Sequence, residues 1–373
     1  MPINNFQDLE LSFAQELLSA SGPNQNSFFS TYSIIQAMAL LVLNHQDLNN
    51  KNNPPGHVMN LDWKNYLNLT EKEVKSLEKI TLKIANVIYA DNSIKVRDEI
   101  HNLLEGTEFG KVRNLDFRND HEVSRLIIND FVSQNTNNLI KDLLKAGTVK
   151  PETASVLVNC IYFYGNWLEP FKEHATHPFP WLGQKNKKFM AMNQKNENLK
   201  ILRNHPNFGD FELLRIPYTE RVGFYVLLDR KAPDASSLTK NNFEILNKFS
   251  EMRKNMVDHG ARGDKISITL PKFEMSSEHS PKDIVEKLGF PMITNDLTHE
   301  ALEVDDVIHK AVIKVDEKGT EAAAATAVMM LRCAMIERGP PPFIVDRPFL
   351  YFIFDDEVEK MLFSGFMFEP EFV

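Results

Sequence analysis

Few residues in this chain of 373 are spaced for catalysis. A nucleophile on a strand-to-helix elbow would read GxSxG, a catalytic zinc site HExxH, a thiol redox pair CxxC and a phosphate cradle a glycine-rich loop; none is present. The eleven His are scattered, and no enzyme activity, metal or cofactor is expected. The most distinctive composition lies instead at residues 315–338, VDEKGTEAAAATAVMMLRCAMIER. From Thr320 to Val328 it is mostly alanine and other small residues, which alone would make a short surface helix. No Gly or Pro occurs from Thr320 through Arg338, however, so nothing in that span forbids a strand within a sheet. Its side chains are also small enough to enter between strands already packed. Upstream, His309, Ala311, Ile313 and Val315 alternate with Lys310, Val312, Lys314 and Asp316, the period of a strand that ends where the stretch begins. Downstream, Pro340, Pro341 and Pro342 make a stiff segment that cannot donate ladder hydrogen bonds.

These residues carry a resemblance. VDEKGTEAAAATAV resembles the hinge of an inhibitory serpin reactive-centre loop, and RCAM resembles the Arg-Cys reactive centre of some members of the leaderless, intracellular-type (ovalbumin-like) branch. The likeness extends along the chain. NSFFSTYSI at 26–34 is similar to the start of serpin helix B, INDFVSQNTNNLIKDLL at 128–144 to helix F, and LVNCIYFYGNWLEPF at 157–171 to the central strand and breach. LPKF at 270–273, DRPFLYFI and LFSGFMFEP resemble later strands.

The resemblance implies an α+β serpin fold of about three β-sheets with eight or nine helices. It implies one domain over 1–373, with an exposed reactive-centre loop at about 317–345. The implied activity is suicide-substrate inhibition of serine endopeptidases: the target's nucleophile attacks a loop carbonyl and forms an acyl-enzyme. Cleavage then frees the loop to enter the main sheet as a new strand, and deacylation stalls as the enzyme's oxyanion hole is distorted. About 16 inserted residues at about 3.3 Å each would drag the protease about 50 Å. The implied hinge is Glu317, Gly319, Thr320 and Ala322, Ala323, Ala324 and Ala325. All positions that must enter the sheet are small, which favours a true inhibitor over a non-inhibitory serpin acting as a binding or chaperone-like protein.

Counting 16 residues from the hinge Glu317, as in relatives, puts the scissile carbonyl on Cys333, whereas the RCAM resemblance puts it on Arg332. The expected bond is Arg332–Cys333, with Leu331 and Met335 as alternates suited to chymotrypsin-like or elastase-like targets. Arg332 would select a trypsin-like protease with an acidic pocket through a charge-assisted hydrogen bond; Cys333 could also suit a cysteine protease. The resemblance further makes Ser30, Ser33, Asn159 and His309 a hydrogen-bonded shutter beneath the opening sheet and Trp167 the breach residue above it. Read alone, His309 on an apolar strand face would be a satisfied core histidine.

Composition sets the remaining limits. With 43% apolar residues and 26 Phe, and with no Ser/Gly/Pro-rich linker, the chain can bury one large core. A formal charge of −9 argues against nucleic-acid or anionic-membrane partners. Only two Cys occur, Cys160 and Cys333, which is no disulfide framework. No signal peptide is visible, so the expected location is cytoplasmic, or extracellular by leaderless export. The partner expected is a target serine protease in a covalent acyl complex, with the inhibitor itself a monomer. Asn68-Leu69-Thr70 is a lone glycosylation sequon, read as an ordinary surface Asn.

The elements that must position these residues can be read in part. Phe6, Leu9, Phe13 and Leu17 predict a first helix closed by Gly22 and Pro23, and Ile34–Leu43 a core helix capped by Ser30. NHQDLNNKNNPPGHVMN at 44–60 reads as a long polar loop, which leaves helix C of the family in doubt. A helix is expected over Glu71–Lys79, with Lys72, Lys75 and Lys79 on one face. Glu71, Glu73 and Glu78 interleave with them, so a solvated face is expected rather than heparin binding. A helical apolar period runs over Val123–Leu144, and strands are expected at 80–90, Ala154–Phe163, Glu212–Ile216, Val222–Asp229 and Lys265–Leu270. Pro281–Gly289 should form a short helix ended by its glycine.

Overall fold

The structure is a computed structural model that describes residues 3–22, 24–43, 57–94, 111–182, 184–196, 199–231, 238, 242–258, 266–291, 293–294, 302–320 and 341–373. Most of the expected 44–60 loop lies outside the described residues, as do Ala322–Ala325, Leu331, Arg332, Cys333 and Met335.

The largest working surface is a six-stranded sheet whose strands, in chain order, are β1 (Thr81–Asp91), β2 (Lys111–Leu115), β3 (Ser155–Asn166), β4 (Phe273–His279), β5 (Asp306–Val315) and β6 (Gly319–Thr320). Their spatial order is β4-β5-β6-β3-β1-β2, with an additional direct pairing of β5 on β3. Behind it lies a second six-stranded sheet in the order Ser27–Phe29, Lys360–Met367, Phe349–Asp355, Val222–Asp229, Phe211–Pro217 and Lys200–Leu202. A four-stranded sheet joins Phe343–Ile344, Ile266–Pro271, Gln184–Asn196 and His177–Trp181, and a small ribbon pairs Ile293–Thr294 with Leu302–Glu303.

Among the described residues there are six α-helices: α1 (Phe6–Ala20), α2 (Thr31–Leu43), α3 (Trp63–Lys75), α4 (Phe117–Asn135), α5 (Asn242–Asp258) and α6 (Lys282–Lys287). Two 3₁₀ turns accompany them among the described residues, against the eight or nine helices expected of the whole chain. The arrangement is α+β, with three larger sheets as expected.

Local physics accounts for most boundaries. Asn5 caps α1 by accepting from the Asp8 amide at 2.9 Å, and Leu9, Phe13 and Leu17 bury one face. Gly22, at φ +79°, supplies the left-handed turn that ends it. Ser30 caps α2 by accepting from Ser33 N at 3.0 Å. The body of α2 is buried on every side, from Ile34 and Ile35 through Leu41 and Val42.

Two expected helices are placed differently. Residues 71–79 do not hold a helix of their own: α3 begins at Trp63, because Asp62 accepts from Asn65 N at 3.2 Å and Trp63 and Tyr66 turn inward. It ends at Lys75, so Lys79 lies beyond it and shares no helical face with Lys72. The apolar period over 123–144 also breaks, since Asn137 and Asn138 sit at φ 54° and 61° and end α4 at Asn135. Leu139, Ile140, Leu143 and Leu144 nevertheless pack on the same cluster, held by Asn129, which exchanges hydrogen bonds with Leu144.

Helix α4 lies over the sheet seam. Phe117, Ile128 and Val132 form one buried cluster with Val87 and Tyr89 of β1, Val158 and Cys160 of β3, and Ile308 and Val312 of β5. Any change in strand spacing therefore has to disturb α4.

Candidate functional site

The candidate hinge is where β5 stops. Asp316 makes a turn in which its amide donates to Gly319 O at 2.9 Å and its carboxylate accepts from Lys318 N at 2.9 Å and Gly319 N at 3.3 Å. The chain then reverses into β6, where Gly319 pairs with Asn166 and Thr320 with both Gly165 and Val315. Two residues thus occupy the gap between β3 and β5. Below them the strands meet directly in a parallel ladder from Asp306↔Val156 to Ala311↔Ile161, so the seam is closed there.

Close fit defines these two positions. A Cβ on Gly319 would lie 2.1 Å from Gly165 O, so only glycine can stand there with the strands at this spacing. Thr320 is 1% exposed, and its Oγ1 lies 2.6 Å from Tyr218 Oη. Burial pushes the Tyr218 phenol well above its ordinary pKa, which keeps it neutral and able to donate. Tyr218 stacks on Trp167 with ring centroids 4.6 Å apart. Trp167 in turn grips the turn twice, donating from Nε1 to Asp316 O and from its amide to Lys318 O, both at 2.9 Å.

Glu317 is held by two side chains. Its Oε1 accepts from Thr176 Oγ1 at 2.8 Å and its Oε2 from Lys272 Nζ at 2.8 Å, while its carbonyl accepts from Phe171 N. Burial opposes ionisation of this carboxyl, but the bonds from Lys272 and Thr176 outweigh it and hold the pKa below the ordinary value. Beyond residue 340, Phe343–Ile344 is paired backbone. There Arg203 donates to Pro341 O at 3.0 Å, Arg230 to Ile344 O at 2.9 Å, and both guanidiniums lie over the Phe343 ring.

Beneath the closed seam the sheet register lines up Asn86 of β1, Asn159 of β3, His309 of β5 and His279 of β4 in one row. His309 is fully buried, and its Nε2 faces the Ser30 amide at 3.1 Å, so it must accept. The ring proton therefore sits on Nδ1, where it donates to Asn159 Oδ1. Asn159 Nδ2 donates to Ser33 Oγ at 2.6 Å, to Ser33 O and to Asn86 Oδ1, and Ser30 Oγ donates to Leu362 O at 2.6 Å. Burial, followed by the nearby His279, drives the His309 pKa well below its ordinary value, so the ring is neutral. This network ties helix α2 and the second sheet to the strands on either side of the seam.

Ser30, Ser33, Asn159 and His309 are thus brought together, and Trp167, Glu317, Gly319 and Thr320 form a second group at the top of the same sheet. Sequence reasoning missed Asn86, whose signal was a lone polar residue inside the apolar run at 84–90, and His279, Tyr218, Lys272 and Thr176, whose partners are distant in the chain. Cys160 is buried, and burial pushes its thiol up to about 12, so it is an inert core residue.

Comparison with known proteins places this geometry. A family model described as "Serpin (serine protease inhibitor)" matches residues 4–370. The leukocyte elastase inhibitor of Xenopus tropicalis is 30% identical over 91% of this chain and 92% of its own. Serpin48, described as a highly specific serpin of the insect Tenebrio molitor, superposes with a TM-score of 0.78 at 23% identity, over 97% of this chain and 96% of its own. Thyroxine-binding globulin in complex with thyroxine superposes with a TM-score of 0.77 at 21% identity, over 97% of this chain and 98% of its own.

Proposed function

This chain belongs to the serpin family, and from that premise we propose that it is a suicide-substrate inhibitor of serine endopeptidases, directed at trypsin-like enzymes through Arg332–Cys333. The observation that carries the reading is the seam: Gly319 and Thr320 already stand between β3 and β5, and the ladder below them is closed by direct strand pairing. An inserting strand needs such a path, with small residues behind it, and Ala322–Ala325 supply them. After acylation at Arg332, release of the hinge lets the segment replace the β3–β5 ladder with two new ladders. Net gains of about 1 kcal/mol per added hydrogen bond sum to about 10 kcal/mol, so the uncleaved fold persists for kinetic reasons. Helix α4, lying on the seam, must move as the strand enters. The resemblance to the leaderless branch supports a cytoplasmic site of action, or export without a leader. Among the described helices none is long and apolar enough to cross a membrane.

A second reading follows from the thyroxine-binding globulin likeness: a serpin frame used for binding rather than inhibition. Incubation with trypsin, chymotrypsin and pancreatic elastase in parallel, followed by a denaturing gel and mass spectrometry of the released peptide, separates the two. The proposal expects a denaturant-stable complex with trypsin and a peptide beginning at Cys333. A complex only with chymotrypsin or elastase moves the bond to Leu331 or Met335, and cleavage with no complex by any enzyme overturns inhibition in favour of binding. Thr320→Arg places a long cation where Thr320 is buried against Tyr218, and should turn the inhibitor into a substrate.

A further inference from the structure

Away from the seam, helices α1, α2 and α3 enclose a group of polar side chains that loop insertion does not use. Glu10 of α1 is 4% exposed, and around it stand Tyr32 and Gln36 of α2, Tyr66 and Glu73 of α3, and Lys360 from the second sheet. Lys360 Nζ is 3.6 Å from Glu10 Oε1, longer than a hydrogen bond, and 5.0 Å from the Tyr66 ring centroid. Glu10 Oε1, Tyr66 Oη and Glu73 Oε2 are buried without a hydrogen-bond partner among the described residues. A cavity of about 10 Å³ lies between Tyr32, Glu73, Asp355 and Lys360, room for about one water molecule.

Charge counting makes the arrangement informative. Asp355 is already paired with Arg221 at 2.8 Å, and Arg221 also donates to Glu73 O at 3.0 Å. Arg253, from α5, is taken by Glu359 at 2.8 Å and faces Asp356 at 3.7 Å. Among the described residues Lys360 is the one ammonium shared by Glu10 and Glu73, and Arg221 also acts on Glu73. Glu73 is half-buried, whereas Glu10 is buried and shares its only close cation, so the charged form of Glu10 is the costly one and a proton there is favoured. Glu10 is the more enclosed, and a cleft of about 340 Å³ between α1 and α5 reaches it from outside and gives protons a route. Helix α3 rests on α1 at this point through Phe6, which stacks on Tyr66 at 4.0 Å and meets Trp63 edge-on at 5.0 Å.

We propose that Glu10 is a proton-binding clasp: protonated, it lets helix α3 seat on α1 and α2, and loss of its proton leaves two carboxylates facing one ammonium and loosens α3. Burial, opposed by Lys360, pushes the Glu10 carboxyl up to about 7, and burial raises Glu73 as well. A carboxyl raised in the folded state contributes stability that is whole below its unfolded value of 4.5 and lost as pH rises through about 7. The clasp has a route to the main sheet, because the chain leaving α3 enters β1 through Glu78 and Ile80, whose amides are both held by Glu220 at 2.9 and 3.0 Å.

The test is hydrogen exchange of the full chain, read on the peptide covering 63–75 and corrected for the intrinsic pH dependence. In the wild type, protection of that peptide should fall about tenfold per pH unit between about pH 5 and pH 7 and level off above. Glu10→Gln should remove most of the slope, leaving only the smaller part that Glu73 contributes. Lys360→Met removes the ammonium that lowers the Glu10 value, so the fall should extend to higher pH. A Glu10→Gln protein with the wild-type slope, or a window that moves down in Lys360→Met, overturns the proposal. Infrared difference spectra of the wild type give a reading that needs no variant to fold: a buried carboxylic acid band present at pH 6 and lost at pH 8 is expected, and its absence at pH 6 refutes the clasp.

Discussion

Replacing Tyr218 by Phe removes one hydroxyl from the seam and little else. The ring can keep its stack on Trp167 at 4.6 Å, while the Thr320 hydroxyl, 1% exposed, loses its partner at 2.6 Å. A buried hydroxyl left unpaired costs about 1–3 kcal/mol. At about 2 kcal/mol, the equilibrium between hinge seated and hinge withdrawn shifts about thirtyfold toward withdrawal. Thr320→Val makes the mirror defect, leaving the Tyr218 hydroxyl unpaired in place of the threonine's. With both changes neither hydroxyl remains, and the cost should largely vanish. Amide exchange of the segment bearing Gly319 and Thr320 reads the equilibrium directly. Each single variant should exchange about thirtyfold faster than wild type, with the double variant close to wild type and a coupling of about 4 kcal/mol. Single variants that exchange at the wild-type rate, or a double variant that simply adds the two effects, would refute the reasoning.

Gly319→Ala should expel the hinge from between β3 and β5, because its Cβ would meet Gly165 O at 2.1 Å; loss of amide protection at residues 319 and 320 checks this, and retained protection contradicts it. Asn159→Ala strips partners from His309, Ser33 and Asn86 at once and should lower stability by about 3 kcal/mol or more, seen as a lower urea midpoint; a loss under about 1 kcal/mol would mean the network is not cooperative. His309 carries a pH signature of the opposite sense to Glu10. Its folded value is depressed below 6.5, so its contribution is whole above 6.5 and is lost as pH falls below it. The stability difference between wild type and His309→Gln should therefore shrink from pH 7.5 to pH 5, and a constant difference would show that the ring does not titrate between the two states.

How much of this was legible in the chain depends on how local the cause was. The alternation around His309, the apolar run of β3 and the caps of α1 and α2 are signals that neighbours in sequence create and the fold keeps. Helix α3 was misplaced because its start is set by one Asp62 side chain and two inward aromatics, while the charged residues 71–79 carry the louder pattern. The 139–144 segment kept its apolar spacing but not its helix, since two left-handed asparagines intervene and burial asks only that Ile140, Leu143 and Leu144 face inward. At the seam the residues themselves were readable, and their partners were not. Tyr218 is 102 positions from Thr320, and Asn86 is 73 from Asn159, so only the strand register brings them together.

The strand Lys360–Met367 sits between Ser27–Phe29 and Phe349–Asp355, so its two neighbours come from opposite ends of the sequence. Ser30 also donates to Leu362 O, which makes the network under His309 depend on that same late segment. At about 5–20 residues per second, synthesis supplies the N-terminal partner well before the strand that must dock on it. The nascent chain therefore holds Ser27–Phe29, and the face of α2 that meets Lys360–Met367, uncovered until its last strands are made.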